Sequence, residues 1–340
     1  MNADARRVVP WPGRAVRSAG PTGRLRPCAV VLIALGFAGP GSSLAYPDRP
    51  VRLIVPYAPA GGTDLVARMV AQRLSESTAQ PFVVDNRPAV DGIVGSELVA
   101  RAQPDGYTLL LVSTSHAINA ALGRKLPYDT LRDFAPIVHT ANQQLLLVVH
   151  PAVAAKSVKD LVALARARPD ALNYGSSSNA TALPMELFKA MTGTRIQHVP
   201  YKGSGPMLNE LIGGQIQVSV AAAISAIPHV RSGRLRALAI GDARRSTELP
   251  DLPTIAESGV PGYQATIWTG MFAPARTPTP VIARINAEAV RAVQSADFRA
   301  KLIELGAEPA GGTPAQWGAF VREEIDKWAR IAKSAKIVAD

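Results

Sequence analysis

The stretch Val51-Arg-Leu-Ile-Val-Pro-Tyr-Ala-Pro-Ala-Gly-Gly-Thr-Asp-Leu-Val-Ala-Arg68 constrains the fold more than any other part of this chain. Val51, Leu53, Ile54 and Val55 read as a short buried strand, and Pro56 and Pro59 stop it. Gly61-Gly62 then open a helix whose apolar positions Leu65, Val66, Met69 and Val70 recur at helical spacing. A strand that empties through paired glycines into a helix leaves the first N–H groups of that helix without intrahelical acceptors. The helix dipole adds partial positive charge at the same place, so the pattern describes an anion seat built of main chain.

Strand-like and helix-like segments alternate from Tyr46 onward. Strands are expected at 82–86 and 107–113, with a helix over 92–102 between them. The 107–113 run is apolar on both faces, as in a central strand of a parallel sheet. Two separate strands are expected at 135–139 and 144–150. A second series follows: a helix over 157–167, a strand ending at Gly175, a polar loop over 176–181 and a helix over 185–191. Strands at 197–201, 217–221 and 235–240 alternate with helices at 206–212 and 227–232. After a proline-rich connection, a strand at 267–273 returns, and three helices end the chain. The last begins at Thr313-Pro314 and carries an apolar stripe, Trp317, Phe320, Val321, Ile325, Trp328 and Ala332, that reads as core.

Two α/β series and a helical coda suggest two lobes, with the coda returning to the first. The expected division places lobe 1 at 46–145 and 268–340, and lobe 2 at 146–267. The first 45 residues stand apart. Arg6, Arg7, Arg14, Arg17, Arg24 and Arg26 precede an apolar run over 29–38, and Ser43-Leu-Ala45 offers small residues before Tyr46. This is the pattern of an export signal peptide cleaved near Ala45–Tyr46, and Arg6-Arg7 leaves a twin-arginine route open. The apolar run is too short to span a bilayer. With the leader's six arginines and one acid set aside, 31 basic and 25 acidic residues remain, so the net charge falls from +11 to +6. The remaining cations are scattered, which argues against nucleic acid as a partner. Cys28 is the sole cysteine, so the chain after the leader has none for disulfides or thiolate metal sites.

In open parallel sheets, ligands sit beyond the carboxyl ends of the strands. Four loops qualify: 57–64, 113–116, 176–181 and 201–205, all rich in Gly, Ser, Thr or Asn. The candidate binding residues are Tyr57, Ala60, Gly61, Gly62, Thr63, Asp64, Thr114, Ser115, His116, Ser176, Ser177, Ser178, Asn179, Thr181, Tyr201 and Lys202. A hydrogen bond to a carboxylate contributes roughly 1.5–3 kcal/mol. A micromolar ligand needs about −8 kcal/mol net. After ordering and desolvation are met, about five to eight bonds drawn from both lobes are required. Each Ser or Thr has an alternative role as a helix cap. Asp64 serves either as a favourable charge at a helix start or as an acceptor for a ligand amine or water. Lys202 is either a solvated lysine or a partner for a ligand acid, and His116 either a cap or exposed residue or a donor to a carboxylate. Gly-x-Ser-x-Gly, P-loop and Gly-x-Gly-x-x-Gly signatures are absent from the sequence, and its five histidines never fall at metal-ligand spacing.

The segments 46–52 (YPDRPVR), 58–64 (APAGGTD), 84–88 (VDNRP), 104–109 (PDGYTL), 198–203 (HVPYKG), 233–239 (GRLRALA) and 252–259 (LPTIAESG), together with Trp268, form a specific set. On these residues the chain, from Tyr46 to Asp340, resembles the substrate-binding receptors of tripartite tricarboxylate transporters, the TctC-like or Bug family. The resemblance implies an α/β type II periplasmic-binding-protein fold (a Venus flytrap), two lobes each with a mainly parallel sheet flanked by helices. It implies a periplasmic solute receptor for a small organic carboxylate, held largely by backbone amides and bridging waters at the loops matching 58–64 and 176–181. The implied partner is a membrane permease with one large and one small subunit. No catalysis, cofactor or metal is expected, and the receptor is expected to be a monomer. The chain departs from the family pattern after Tyr174-Gly175, where Ser178, Ala180 and Pro184 replace a glycine-rich run and a histidine. Two other readings remain open: a receptor that docks on a membrane sensor, and a secreted hydrolase using Ser177 or Ser204.

Overall fold

β1 (Val51–Val55) runs into the proline-marked loop, and α1 (Gly62–Thr78) begins at the second glycine of the pair. The computed structural model describes residues 12, 13, 15, 46–246 and 248–334. Apart from residues 12, 13 and 15, the expected leader lies outside the described residues. The architecture is that of the unit from Ala45 onward. Its further elements are β2 (Phe82–Asn86), α2 (Ile93–Ala100), β3 (Thr108–Ser113), α3 (Ser115–Ala121), β4 (Phe134–Val149), α4 (Val158–Ala167) and β5 (Asn173–Ser176). Then come α5 (Asn179–Thr192), β6 (Gln197–Pro200), α6 (Ser204–Ile212), β7 (Val218–Ala222), α7 (Ala223–Arg231) and β8 (Arg236–Ile240). β9 (Thr266–Pro274), α8 (Thr279–Gln294), α9 (Ala296–Glu304), β10 (Ala307–Gly311) and α10 (Pro314–Ser334) complete it. No described helix is long and apolar enough to cross a membrane.

The strands run in the order β2-β1-β3-β9-β4-β7-β5-β6, with β8 and β10 also on β4. The α/β class is as expected, and the sheet is mixed where mainly parallel sheets were anticipated. β1 pairs in parallel with β2 and β3, and β5 with β6 and β7. Around β4 every pairing is antiparallel, as is β3 with β9. A returning strand such as β9 enters from the far end of the sheet, so its neighbours must oppose it.

β4 corrects the expectation of two strands. Thr140, Asn142 and Gln143 look like an interruption in an apolar run, yet the ladder passes through them. Ala141, Asn142 and Gln143 pair with Thr269, Trp268 and Ile267 of β9, and Gln143 also faces Ala307 of β10. From Leu145 onward the partners change to β7 and β8. One strand therefore belongs to two half-sheets, and its tertiary partners override the local polar signal. α5 starts six residues earlier than expected, because Thr181 Oγ1 accepts the Ser177 N–H at 2.9 Å and closes the polar run into a helix start. β10 was not anticipated, since Ala-Glu-Pro-Ala-Gly has no strand pattern of its own and forms by pairing with β4.

The core follows the apolar faces. Leu109, Leu111, Leu145 and Leu147 are fully buried in the central strands. On α10, Trp317, Val321, Trp328 and Ala332 are buried, and Phe320 and Ile325 partly so. Glu324 of the same helix is buried because its Oε2 accepts from both Trp268 Nε1 (3.0 Å) and Trp328 Nε1 (3.1 Å).

Candidate functional site

A cleft of about 400 Å³, counting its open mouth, lies where the two half-sheets meet. Tyr57, Gly61, Gly62 and Thr63 form one wall, and Ser177, Ser178 and Thr181 face them. Gly203 and Ser204 close the mouth, and Ser113, Gln143, Ala222 and Ile267 form the floor. Among the described residues, no charged side chain lines the cleft.

The first wall is assembled by Asp64. Its Oδ2 accepts from the Ala60 N–H and from Arg68 Nε, both at 2.9 Å, and its Oδ1 accepts from Asn86 Nδ2 at 2.9 Å. Asp64 is 1% exposed, so it braces the loop from behind and does not reach the ligand space. The same bond occupies the Ala60 amide, and Ala60 adopts a left-handed φ of 63°. Past Ala60 the loop presents a helix start with no side-chain cap. The first bond along α1 runs from the Leu65 N–H to the Gly61 carbonyl, so helix geometry leaves the amides of Gly62 and Thr63 pointing out of its end. Gly62 is needed for close approach: a Cβ there would collide with Gln143 Oε1 and lie 2.6 Å from Ile224 Cγ2. Gly61 is different, since a Cβ there would meet nothing nearer than 3.5 Å.

The second wall is less free than the sequence suggested. The Ser177 amide donates to Thr181 Oγ1, and Ser176 Oγ is bonded to His198 Nε2 at 2.7 Å, behind the wall. The Asn179 N–H donates to Asp91 Oδ1 at 2.6 Å, and Asn179 Nδ2 to Asn119 Oδ1 at 2.7 Å. Asp91 also pairs with Arg124. A carboxylate of the chain itself thus occupies part of the N-terminus of α5. The wall keeps the Ser177, Ser178 and Thr181 side chains at the cleft, whereas Ser176 and Asn179 do not line it.

Other candidates are also displaced. His116 is 1% exposed and packs against Tyr128, Phe134 and Phe272, with neither ring nitrogen hydrogen-bonded. Burial pushes its pKa down to about 3, so it is a neutral core residue and not a donor at the cleft. Thr114 is buried, its Oγ1 accepting from the Trp268 N–H at 2.9 Å, and Ser115 is buried behind Ser113. Tyr201 is half-buried against the core, and Lys202 is exposed outside the lining. Tyr57 does reach the cleft, its hydroxyl 3.1 Å from Ser113 Oγ, and burial raises its pKa. Gly203, at φ 131°, lies so close to the first loop that a Cβ would sit 2.7 Å from Ala58 Cβ.

Comparison with known proteins decides the family. Residues 66–337 match the family described as the tripartite tricarboxylate transporter family receptor. The protein BugT of Bordetella pertussis is 37% identical over 308 residues, covering 89% of this chain and 94% of BugT. The chain belongs to this receptor family. Among solved structures, R. palustris Rpa4515 with adipate is 40% identical with a TM-score of 0.84, covering 86% of this chain and 99% of that one. MatC from Rhodopseudomonas palustris with bound malate is 31% identical with a TM-score of 0.81, covering 84% and 99%. The receptor's fold is therefore that of the periplasmic binding proteins, as the sequence motifs implied.

Of the receptor's floor, Gln143, Ala222 and Ile267 lie outside the four loops that the sequence marks. They sit inside strands, where no loop signal marks them. One clue existed for Gln143. Its neighbours on the same strand face, Ala141 and Leu145, are fully buried, so a polar residue at that register points where apolar ones belong.

Proposed function

We propose that this receptor binds a small organic carboxylate in the cleft and delivers it to a tripartite tricarboxylate-type membrane transporter. The observation that carries the reading is the uncapped start of α1, opening onto a cleft lined by neutral hydrogen-bonding groups. Main-chain amides at a helix N-terminus and hydroxyls of Thr63, Ser177, Ser178 and Ser204 can hold an anion without a buried cation. The adipate of Rpa4515 and the malate of MatC, both carboxylates, support the same chemistry here.

The two half-sheets are the two lobes in this reading, 46–145 with 268–340 and 146–267. The change of β4 partners between Gln144 and Leu145 supports the first boundary. The protein acts by binding and not by turnover: among the described residues, no histidine or carboxylate stands in the lining beside Ser177 and Ser204 to serve as a base. It works in the periplasm after removal of the leader, and its partner is a permease.

The test is thermal unfolding against a panel of mono-, di- and tricarboxylates and neutral sugars. Acids are expected to raise the melting temperature, because a ligand that binds only the folded state stabilises it by about 2.7 kcal/mol at a hundred times its Kd. A shift with sugars and none with any acid overturns the reading.

A further inference from the structure

We infer that Gln143 is a ligand contact, its side-chain amide reaching the polar head of the carboxylate seated at the start of α1. This rests on the carboxylate reading above. Gln143 is 1% exposed, and both Nε2 and Oε1 are buried with no hydrogen-bond partner. It lines the cleft floor, and its Oε1 lies against Gly62, whose amide belongs to the uncapped helix end. The side chain springs from the middle of a ladder, between Ile267 of β9 and Ala307 of β10, so its backbone cannot shift to find another partner.

A buried amide with both ends unpaired is unfavourable for folding, and an apolar residue would serve the core better. The flanking positions on that face, Ala141 and Leu145, show what packing alone selects. The unpaired groups find partners when a guest enters. Nε2–H donates to a carboxylate oxygen, adding a side-chain donor to the Gly62 and Thr63 amides. Oε1 only accepts, so it calls for an O–H beside the carboxylate, from a hydroxyl of the ligand or from a trapped water. The ligand class is thus a carboxylate with a hydroxyl or an ordered water next to its head.

The experiment compares wild type with Gln143→Leu, Gln143→Met and Gln143→Glu by calorimetric titration with the acids of the panel, adipate and malate included, and by melting of the ligand-free proteins. A contact role moves the two readouts apart: Gln143→Leu and Gln143→Met keep or raise ligand-free stability and weaken binding tenfold or more. Gln143→Glu, which places a like charge beside the carboxylate, weakens it further. Binding within twofold of wild type in both neutral variants overturns the inference and leaves the carboxylate reading standing. Parallel loss of stability and affinity in both also overturns it, by making Gln143 a packing residue. Failure of every acid to bind wild type sinks the carboxylate reading and the inference with it.

Discussion

Replacing Gly62 with alanine tests the cleft at its tightest point. The added methyl would collide with Gln143 Oε1, lie 2.6 Å from Ile224 Cγ2 and 3.4 Å from Ala222 Cβ. Gln143 has side-chain torsions with which to retreat. Ile224 is β-branched and sits in the first turn of α7, so its methyl moves only if that helix moves. Overpacking of this kind costs about 1–3 kcal/mol. Gly62 is the first residue of α1, so the helix-propensity gain of alanine over glycine, which belongs to helix interiors, offsets little of this. The two walls belong to different half-sheets, so the clash can be relieved by separating them, and the penalty then falls on the closed, ligand-bound form. At 1.4 kcal/mol per factor of ten, the expected loss of affinity is about 5- to 150-fold, with ligand-free stability nearly unchanged. Calorimetric titration with the best-binding acid and a melting curve measure both. Gly61→Ala is the internal control, because its Cβ has ordinary 3.5 Å neighbours and its extended φ of −77° suits any residue. Equal affinities for wild type and Gly62→Ala, or an equal loss in Gly61→Ala, would refute the argument.

Asp64→Ala is expected to lower stability by about 2–5 kcal/mol, since the Ala60 N–H and Asn86 Nδ2 lose their acceptor. Urea unfolding measures this, and a loss below about 1 kcal/mol would mean the loop is not braced from behind. The half-exposed Arg68 side of that ion pair adds little. His116 has a folded pKa near 3, below the ordinary value of 6.5, so the unfolded chain takes up a proton first as pH falls. Its contribution is present above pH 6.5 and declines toward about 3, by up to ~1.4 kcal/mol per pH unit. His116→Phe should flatten stability against pH in that window without changing affinity. A residual slope is expected from His139, which burial holds near 4. A shift in ligand affinity in His116→Phe would return that residue to the cleft. Because no carboxylate among the described residues lines the cleft, an acid is expected to bind more tightly than its α-amino counterpart, for example succinate over aspartate. Thermal shifts of matched pairs check this, and tighter binding of the amino acids would refute it.

Legibility in the sequence depended on whether a signal was local. The β1–α1 junction was readable because two prolines and two glycines punctuate it within seven residues. The start of α5 was misplaced because Ser, Asn and Thr serve loops and helix starts alike, and only the Thr181 hydroxyl bonds distinguish them. β10 carries no strand pattern, and β4 carries an apparent break; both are settled by partners more than a hundred residues away. The candidate residues divide in the same way. Gly61, Gly62 and Thr63 reach the cleft because their own turn sends them there. The aromatic box that encloses His116 is drawn from Tyr128, Phe134 and Phe272, which no spacing rule links to it. Asp64 faces inward because Asn86 and Arg68 meet it, again a feature of assembly.

The unbroken course of β4 has a mechanical consequence. The return crossing is tied to it, with the Gly241 N–H on the Leu145 carbonyl at 2.7 Å and the Ala265 N–H on the Gly241 carbonyl at 2.8 Å. Any rotation of one half against the other must be absorbed by bending and twisting this strapped ribbon, as in a leaf spring, and not by swinging on slack chain. The register irregularities between Pro136 and Val138, between His139 and Ala141, and between Leu147 and Val148 are the places where such a ribbon yields. In the two-lobe closure proposed above, travel would therefore be short and self-restoring, with the two halves keeping the same register.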